Sequence, residues 1–168
     1  MRAPNTSTFR NALKYGAIFA AGIIVISLVF HFANASASTA YQIVIWLAWI
    51  AGSILLTKHF RDKGLGGVAS FKKLFGFGVL IFLVQGVITG IYTYIMALMI
   101  PEITEMVLEQ SVKNMVDQGL SDQEVEMSMQ FVEIFAQPGV MALTGAIMTT
   151  VLGVFISLIC AAIMQKQD

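Results

Sequence analysis

Four stretches of the chain are almost continuously apolar, and polar positions dominate the segments between them. They run from Leu13 to Phe32, Tyr41 to Thr57, Leu74 to Ile100 and Val140 to Met164. A helix rises about 1.5 Å per residue, so crossing a hydrocarbon core of about 30 Å takes roughly 20 residues. The second stretch lies near the lower limit, and the third is longer than crossing requires. The third should therefore tilt or project beyond the bilayer before Pro101 ends it. The pattern predicts an all-α fold: an integral membrane four-helix bundle, organised as a single membrane domain over residues 1–168.

Between the third and fourth stretches the pattern changes. From Glu102 to Pro138, apolar residues recur at helical spacing among acids. Leu108, Val112, Met115 and Val116 form one stripe, and Val125, Met129, Val132 and Phe135 form a second. Gly119 reads as a helix C-terminal glycine, free to take positive φ, and Ser121 with Glu124 has the spacing of a capping box. The segment 102–138 is thus expected to be an amphipathic helical hairpin, with Pro138 and Gly139 ending it. Its stripes need cover from each other, the spans, the bilayer surface or a partner, because helices this short are marginal alone in water.

Composition sharpens this picture. Apolar residues make up 57% of the chain and charged residues only 12%, which sets it apart from an ordinary soluble domain. The formal net charge of zero hides a segregation. Arg2, Arg10 and Lys14 flank the first span, Lys58, Arg61, Lys63, Lys72 and Lys73 lie between the second and third, and Lys166 follows the fourth. Of the ten Lys and Arg residues, only Lys113 then falls on the opposite face. The rule that positive loops stay inside makes the basic face cytoplasmic, with both termini there. The hairpin, carrying Glu102, Glu105, Glu109, Asp117, Asp122, Glu124, Glu126 and Glu133, is placed outside. The basic start resembles that of a signal peptide and the ANASAS stretch a cleavage site, but the length of the first apolar run favours a retained helix.

The candidate chemistry is thin. Met106, Met115, Met127 and Met129 are soft thioethers, and Met127 and Met129 have an M-x-M spacing suited to monovalent copper. Residues two apart do not share a helix face, however, and methionine is also an adaptable apolar filler. Glu102, Glu105 and Glu109 share a face that suits solvation better than a calcium cage. No Asp, Glu, Lys or Arg lies deep in a span, which argues against a pump or proton-coupled exporter. Gln85, Thr89, Tyr92, Thr93 and Tyr94 give the third span modest polarity of the kind that bonds between helices. His31 and His59 fall at opposite membrane surfaces. Cys160, the single cysteine, sits in an apolar run and permits no disulfide within the chain. With no nucleophile elbow, metal-ligand cluster or phosphate loop, the sequence points to no enzyme and no cofactor, and nothing in it suggests nucleic-acid binding.

Small residues point to packing. Gly86 and Gly90 form a G-x-x-x-G pair, and Gly145, Thr149, Gly153, Ser157 and Ala161 recur at every fourth position. Such seams let helix backbones approach closely, within one bundle or in a homo-oligomer, and the four helices of a single chain favour the former. The basic glycine-containing segment TKHFRDKGLGGVASFKKLFGFG lacks phosphate-loop spacing, and it is expected to set topology and meet anionic headgroups, with Phe71 and Phe75 at the interface.

The order of these features carries a resemblance. FRDKGLGGVASFKKLFGFGVLI, then QGLSDQEVEMSMQFVEIF, then PGVMALTGAIMTTVLGVFISLICAAI resembles a family of small four-span bacterial membrane proteins catalogued as a domain of unknown function. The similarity runs from about Leu13 to about Lys166. It implies a bacterial inner-membrane location, in which the charge pattern makes the hairpin periplasmic, and it brings no activity or site residues. The expected function is a non-catalytic accessory or assembly protein that shows its hairpin to an envelope or membrane protein partner, docking through Val125, Met129, Val132 and Phe135. A passive carrier or lipid-handling protein is the alternative, and soft-metal binding by the outer methionines a weaker third.

Overall fold

The computed structural model describes residues 8–36 and 38–166. Arg2, of the basic N-terminal flank, and Ala37, in the first link, lie outside the described residues. The helices are α1 (Thr8–Phe32), α2 (Thr39–His59), α3 (Phe71–Met99), α4 (Glu102–Asp117), α5 (Asp122–Phe135) and α6 (Pro138–Met164). A π-helical turn, Phe60–Gly64, extends α2. Among the described residues there is no strand, only an isolated antiparallel bridge between Ala69 and Lys166. Four helices are long and apolar enough to cross a membrane: α1, α2 with its π turn, α3 and α6.

Each long helix overruns its apolar stretch. Hydrogen bonding, not hydrophobicity, decides where a helix ends, and the flanking Lys and Arg are good helix formers. The short second stretch therefore becomes a helix of 26 residues once the π turn is included. That turn is closed by the Leu65 amide donating to the Phe60 carbonyl at 3.1 Å, a step of five residues. Gly66 and Gly67 follow with φ of 73° and 94°, in the left-handed region where a Cβ is penalised. The glycines in this basic segment thus serve a chain reversal. Pro138, expected to end the hairpin, instead starts α6, because a proline at the first helical position lacks an amide that would have no partner there anyway.

The contacts divide into two compact units, with boundaries inside α3 and α6. The first comprises the residues up to Ile88 and those from Ile147. Its core is aromatic. Phe60 stacks on Phe77 with centroids 3.8 Å apart, while Phe19 and Trp49 meet Phe82 edge-on at 5.8 and 6.3 Å. Gly153 lies directly under Phe82, where no Cβ fits, so a glycine is what lets this ring seat. One end of this unit gathers polar contacts. Tyr15 meets His59 at 5.5 Å, Arg61 donates to the Met164 carbonyl, and Ala69 and Lys166 exchange two backbone hydrogen bonds at 3.0 Å. Phe71 and Phe75, both half-buried, stack on each other against the core.

The second unit spans Thr89–Ala146. At its base the last turns of α3 approach the first turns of α6. A Cβ built on Gly90 would lie 3.0 Å from the Ala142 carbonyl oxygen and 3.2 Å from the Ala146 Cβ. Between these two helix ends the chain makes its excursion through α4 and α5, which pack against each other. The excursion is joined to α3 through Ile100 and Pro101, and to α6 through Ala136 and Gln137.

Candidate functional site

The hairpin is locally well specified. α4 ends in a Schellman arrangement: the Gly119 amide donates to Val116 O at 2.9 Å, and the Leu120 amide donates to Met115 O at 3.1 Å. Gly119 takes φ 82°, as its position required. Two residues later Ser121 caps α5. Its amide and its hydroxyl both donate to the Glu124 carboxylate, at 2.8 and 2.7 Å. The Ser121 hydroxyl, and then its amide, hold the Glu124 carboxyl below its ordinary range, since both bonds favour the charged form.

The two helices use their faces differently. On α4 the half-buried residues are Ile103, Thr104, Val107, Leu108, Ser111, Val112 and Met115. At about 100° per residue they fill one half of the helix. The other half is exposed and polar, apart from Met106 and Val116. On α5, Val125, Met129 and Val132 are half-buried and span an arc of about 60°. A second apolar arc, about 100° wide, lies beside it: Met127, Phe131, Ile134 and Phe135, exposed by 54%, 68%, 52% and 56%. Asp122, Gln123, Glu126, Gln130 and Glu133 occupy the remaining side, all exposed, whereas Glu124, also exposed, falls within the open arc at its first turn.

The expected docking stripe is thus divided. Val125, Met129 and Val132 lie half-buried in the hairpin unit, and Phe135 belongs to the open arc. Met127, Phe131 and Ile134 lie outside the expected stripe. Their signal was legible, since 127, 131, 134 and 135 have helical spacing, but a single-stripe fit to a helix with two adjacent apolar arcs selects only one. Covering a large apolar side chain is worth about 1.5–3 kcal/mol, so four left open on one arc is a substantial unspent driving force. A shallow groove at the start of this arc is lined by Leu120, Glu124, Met127, Ser128 and Phe131.

The other candidates stand as follows. All eight hairpin acids are exposed, including Glu102, Glu105 and Glu109. Met127 is exposed while Met129 is half-buried, so the M-x-M pair is split between two arcs, as residues two apart on a helix must be. Met106 is exposed and Met115 half-buried. In the packing seams, Gly86, Gly90, Gly153, Ser157 and Ala161 are buried and Thr149 is half-buried. Gly145 is exposed, with open space where a Cβ would stand, so it takes no part in close packing. A four-residue repeat drifts by about 40° per step on a helix, which carries Gly145 off the face that holds Gly153. Gln85 is fully buried in α3, and Cys160 is buried in α6.

Comparison with known proteins places the chain without assigning it an activity. No match was found among curated proteins or among solved structures. One family model, described as "Protein of unknown function (DUF4199)", matches residues 14–166, nearly the whole chain and both parts of the structure, the four long apolar helices and the acidic hairpin alike. The chain belongs to that family.

Proposed function

We propose that this is a non-catalytic accessory or assembly protein of a bacterial inner membrane, with four spans and cytoplasmic termini, that presents its acidic hairpin to a membrane or envelope protein partner. The observation that carries this reading is the hairpin itself. Its turn is capped on both sides, by the glycine end of α4 and by Ser121 at the start of α5, its two helices pack together, and all eight of its acids face solvent against the single cation Lys113. The partner this suits bears a basic patch, because complementary potentials steer encounter and reject wrong partners. The cytoplasmic assignment of the other face follows the positive-inside rule. It is supported by the Tyr15–His59 and Ala69–Lys166 contacts, which bring the basic segments together at one end of the first unit.

The test is co-purification in mild detergent with the full chain, compared with the triple variant Glu102→Lys, Glu105→Lys, Glu109→Lys. These positions are exposed, so the variant should remain folded and inserted. A defined protein retained by the unmodified chain and lost from the variant is the expected result. If the unmodified chain retains no protein, the partner reading fails.

A second reading, a passive carrier or lipid-handling protein, draws on Gln85, fully buried within α3. Translocation of a solute or lipid by the chain in liposomes, abolished by Gln85→Ala, would favour it over the partner reading.

A further inference from the structure

We propose that α5 is an interfacial helix, seated in the lipid headgroup region through Met127, Phe131, Ile134 and Phe135, and that this seating turns the acids of the hairpin toward water. The proposal rests on the reading of the four long helices as membrane spans.

Three observations select lipid as the occupant of this arc. First, the arc is continuous with the spans. Only Ala136 and Gln137 separate Phe135 from the start of α6, and Ile100 and Pro101 alone separate α3 from α4. Near these joints the span ends expose Leu98, Met99 and Leu143, side chains that a bilayer would cover. Second, the arc is graded along its length. Its far end borders Glu124 and the groove at Leu120, whereas the end nearest α6 carries Phe131, Ile134 and Phe135 with no acid among them. Third, three of the four acids of α5 lie opposite. Asp122, Glu126 and Glu133 stand well over 100° from the centre of the arc, as an amphipathic helix lying in a membrane surface requires, and Glu124 alone shares the arc's side, at the far end beside the groove.

The charge also argues against a second copy as the occupant. Pairing two hairpins through this face would bring two sets of eight acids close, each with only Lys113 to offset it. Unlike the many surface helices that carry Lys and Arg, α5 has no basic residue, so its attachment comes from apolar burial alone.

The experiment is spin-label accessibility with the full chain in phosphatidylcholine nanodiscs. Cys160→Ala removes the native thiol, and single cysteines then carry the nitroxide at Phe131→Cys, Ile134→Cys, Glu126→Cys and, on the exposed side of α6, Phe155→Cys. All four positions are exposed, so labelling should not disturb the core. Collision rates with oxygen report lipid, and those with a water-soluble nickel chelate report water. The expected result is that labels at 131 and 134 shift toward the oxygen-favoured ratio of 155, while 126 remains nickel-favoured. If 131 and 134 match 126 while 155 is in lipid, the interfacial seating is wrong and the membrane reading stands. If 155 is also open to water, the membrane reading itself fails and takes this proposal with it. Dipolar broadening between labels at 131 would identify a second copy on the arc and overturn the proposal.

Discussion

Within one hairpin, α4 and α5 are close in length, at 16 and 14 residues, and both are acidic at their start. They nevertheless solve the burial problem differently. α4 has one apolar half, which is half-buried, and one polar half, which faces solvent. α5 has two apolar arcs for a single packing face, and only the arc of Val125, Met129 and Val132 is half-buried. The difference teaches that amphipathicity has a width as well as a direction. A stripe matched to one neighbour is satisfied inside the fold, whereas a wider one leaves an arc that must find lipid or a partner outside it.

The two kinds of face should respond differently to an introduced charge. Leu108→Asp on the half-buried side of α4 is predicted to cost roughly 2–3 kcal/mol of hairpin stability, the upper part of the usual range for a substitution. Phe131→Asp on the open arc of α5 removes cover from outside and no contact within the hairpin, so it should change the hairpin's internal stability by no more than about 0.5 kcal/mol. Limited trypsin digestion reads both, because Lys113 is the only Lys or Arg in the hairpin. Cleavage there should accelerate strongly for Leu108→Asp and hardly at all for Phe131→Asp. Equal acceleration would mean that the two faces are not distinct.

A smaller effect is expected at the joint between the helices. Gly119→Ala forces a Cβ onto a residue at φ 82°, at a cost of about 1–2 kcal/mol. If hairpin opening precedes cleavage, digestion at Lys113 should then speed up about tenfold, since 1.4 kcal/mol is a factor of ten. Gly119→Asn, which tolerates this conformation better, should recover part of the loss.

The smallest effect belongs to α5 alone and depends on pH. The Ser121 hydroxyl and amide depress the Glu124 carboxyl, so the bonded, charged form stabilises the cap. A group whose folded pKa is lowered contributes stability above its unfolded pKa, and this contribution is lost as pH falls through the folded value. The cap should therefore be intact at neutral pH and weaken on acidification below the ordinary carboxylate range. In an NMR titration, Ser121→Ala should raise the pKa of Glu124 toward its ordinary value. An unchanged titration would show that the bond from the Ser121 hydroxyl does not hold in solution.

The sequence made legible what depends on local chemistry or on bulk polarity. The four apolar stretches, the end of α3 near Pro101, the glycine turn at Gly119 and the Ser121–Glu124 cap were all readable, because each is written in adjacent residues. What was not legible depends on partners distant in sequence or on the limits of a pattern. The π turn after α2 and the pairing of Ala69 with Lys166 involve contacts that no local signal announces. Pro138 could equally end one helix or begin another, and the tight approach that selects Gly90 and Gly153 but leaves Gly145 open comes from helix phase and neighbours. The open arc of α5 was present in the spacing, but burial, which divides its apolar residues into two sets, is a tertiary property.

The proposed function requires the acidic hairpin and the basic segments to lie on opposite sides of a membrane. Thiol labelling in spheroplasts with a membrane-impermeant maleimide tests this directly, using single cysteines Gln118→Cys, Ser70→Cys and Gln165→Cys in the Cys160→Ala background. All three positions are exposed. The account predicts that Gln118→Cys is labelled in intact spheroplasts, and that Ser70→Cys and Gln165→Cys react only after permeabilisation. Labelling of Ser70→Cys or Gln165→Cys in intact spheroplasts, with Gln118→Cys protected, would contradict it.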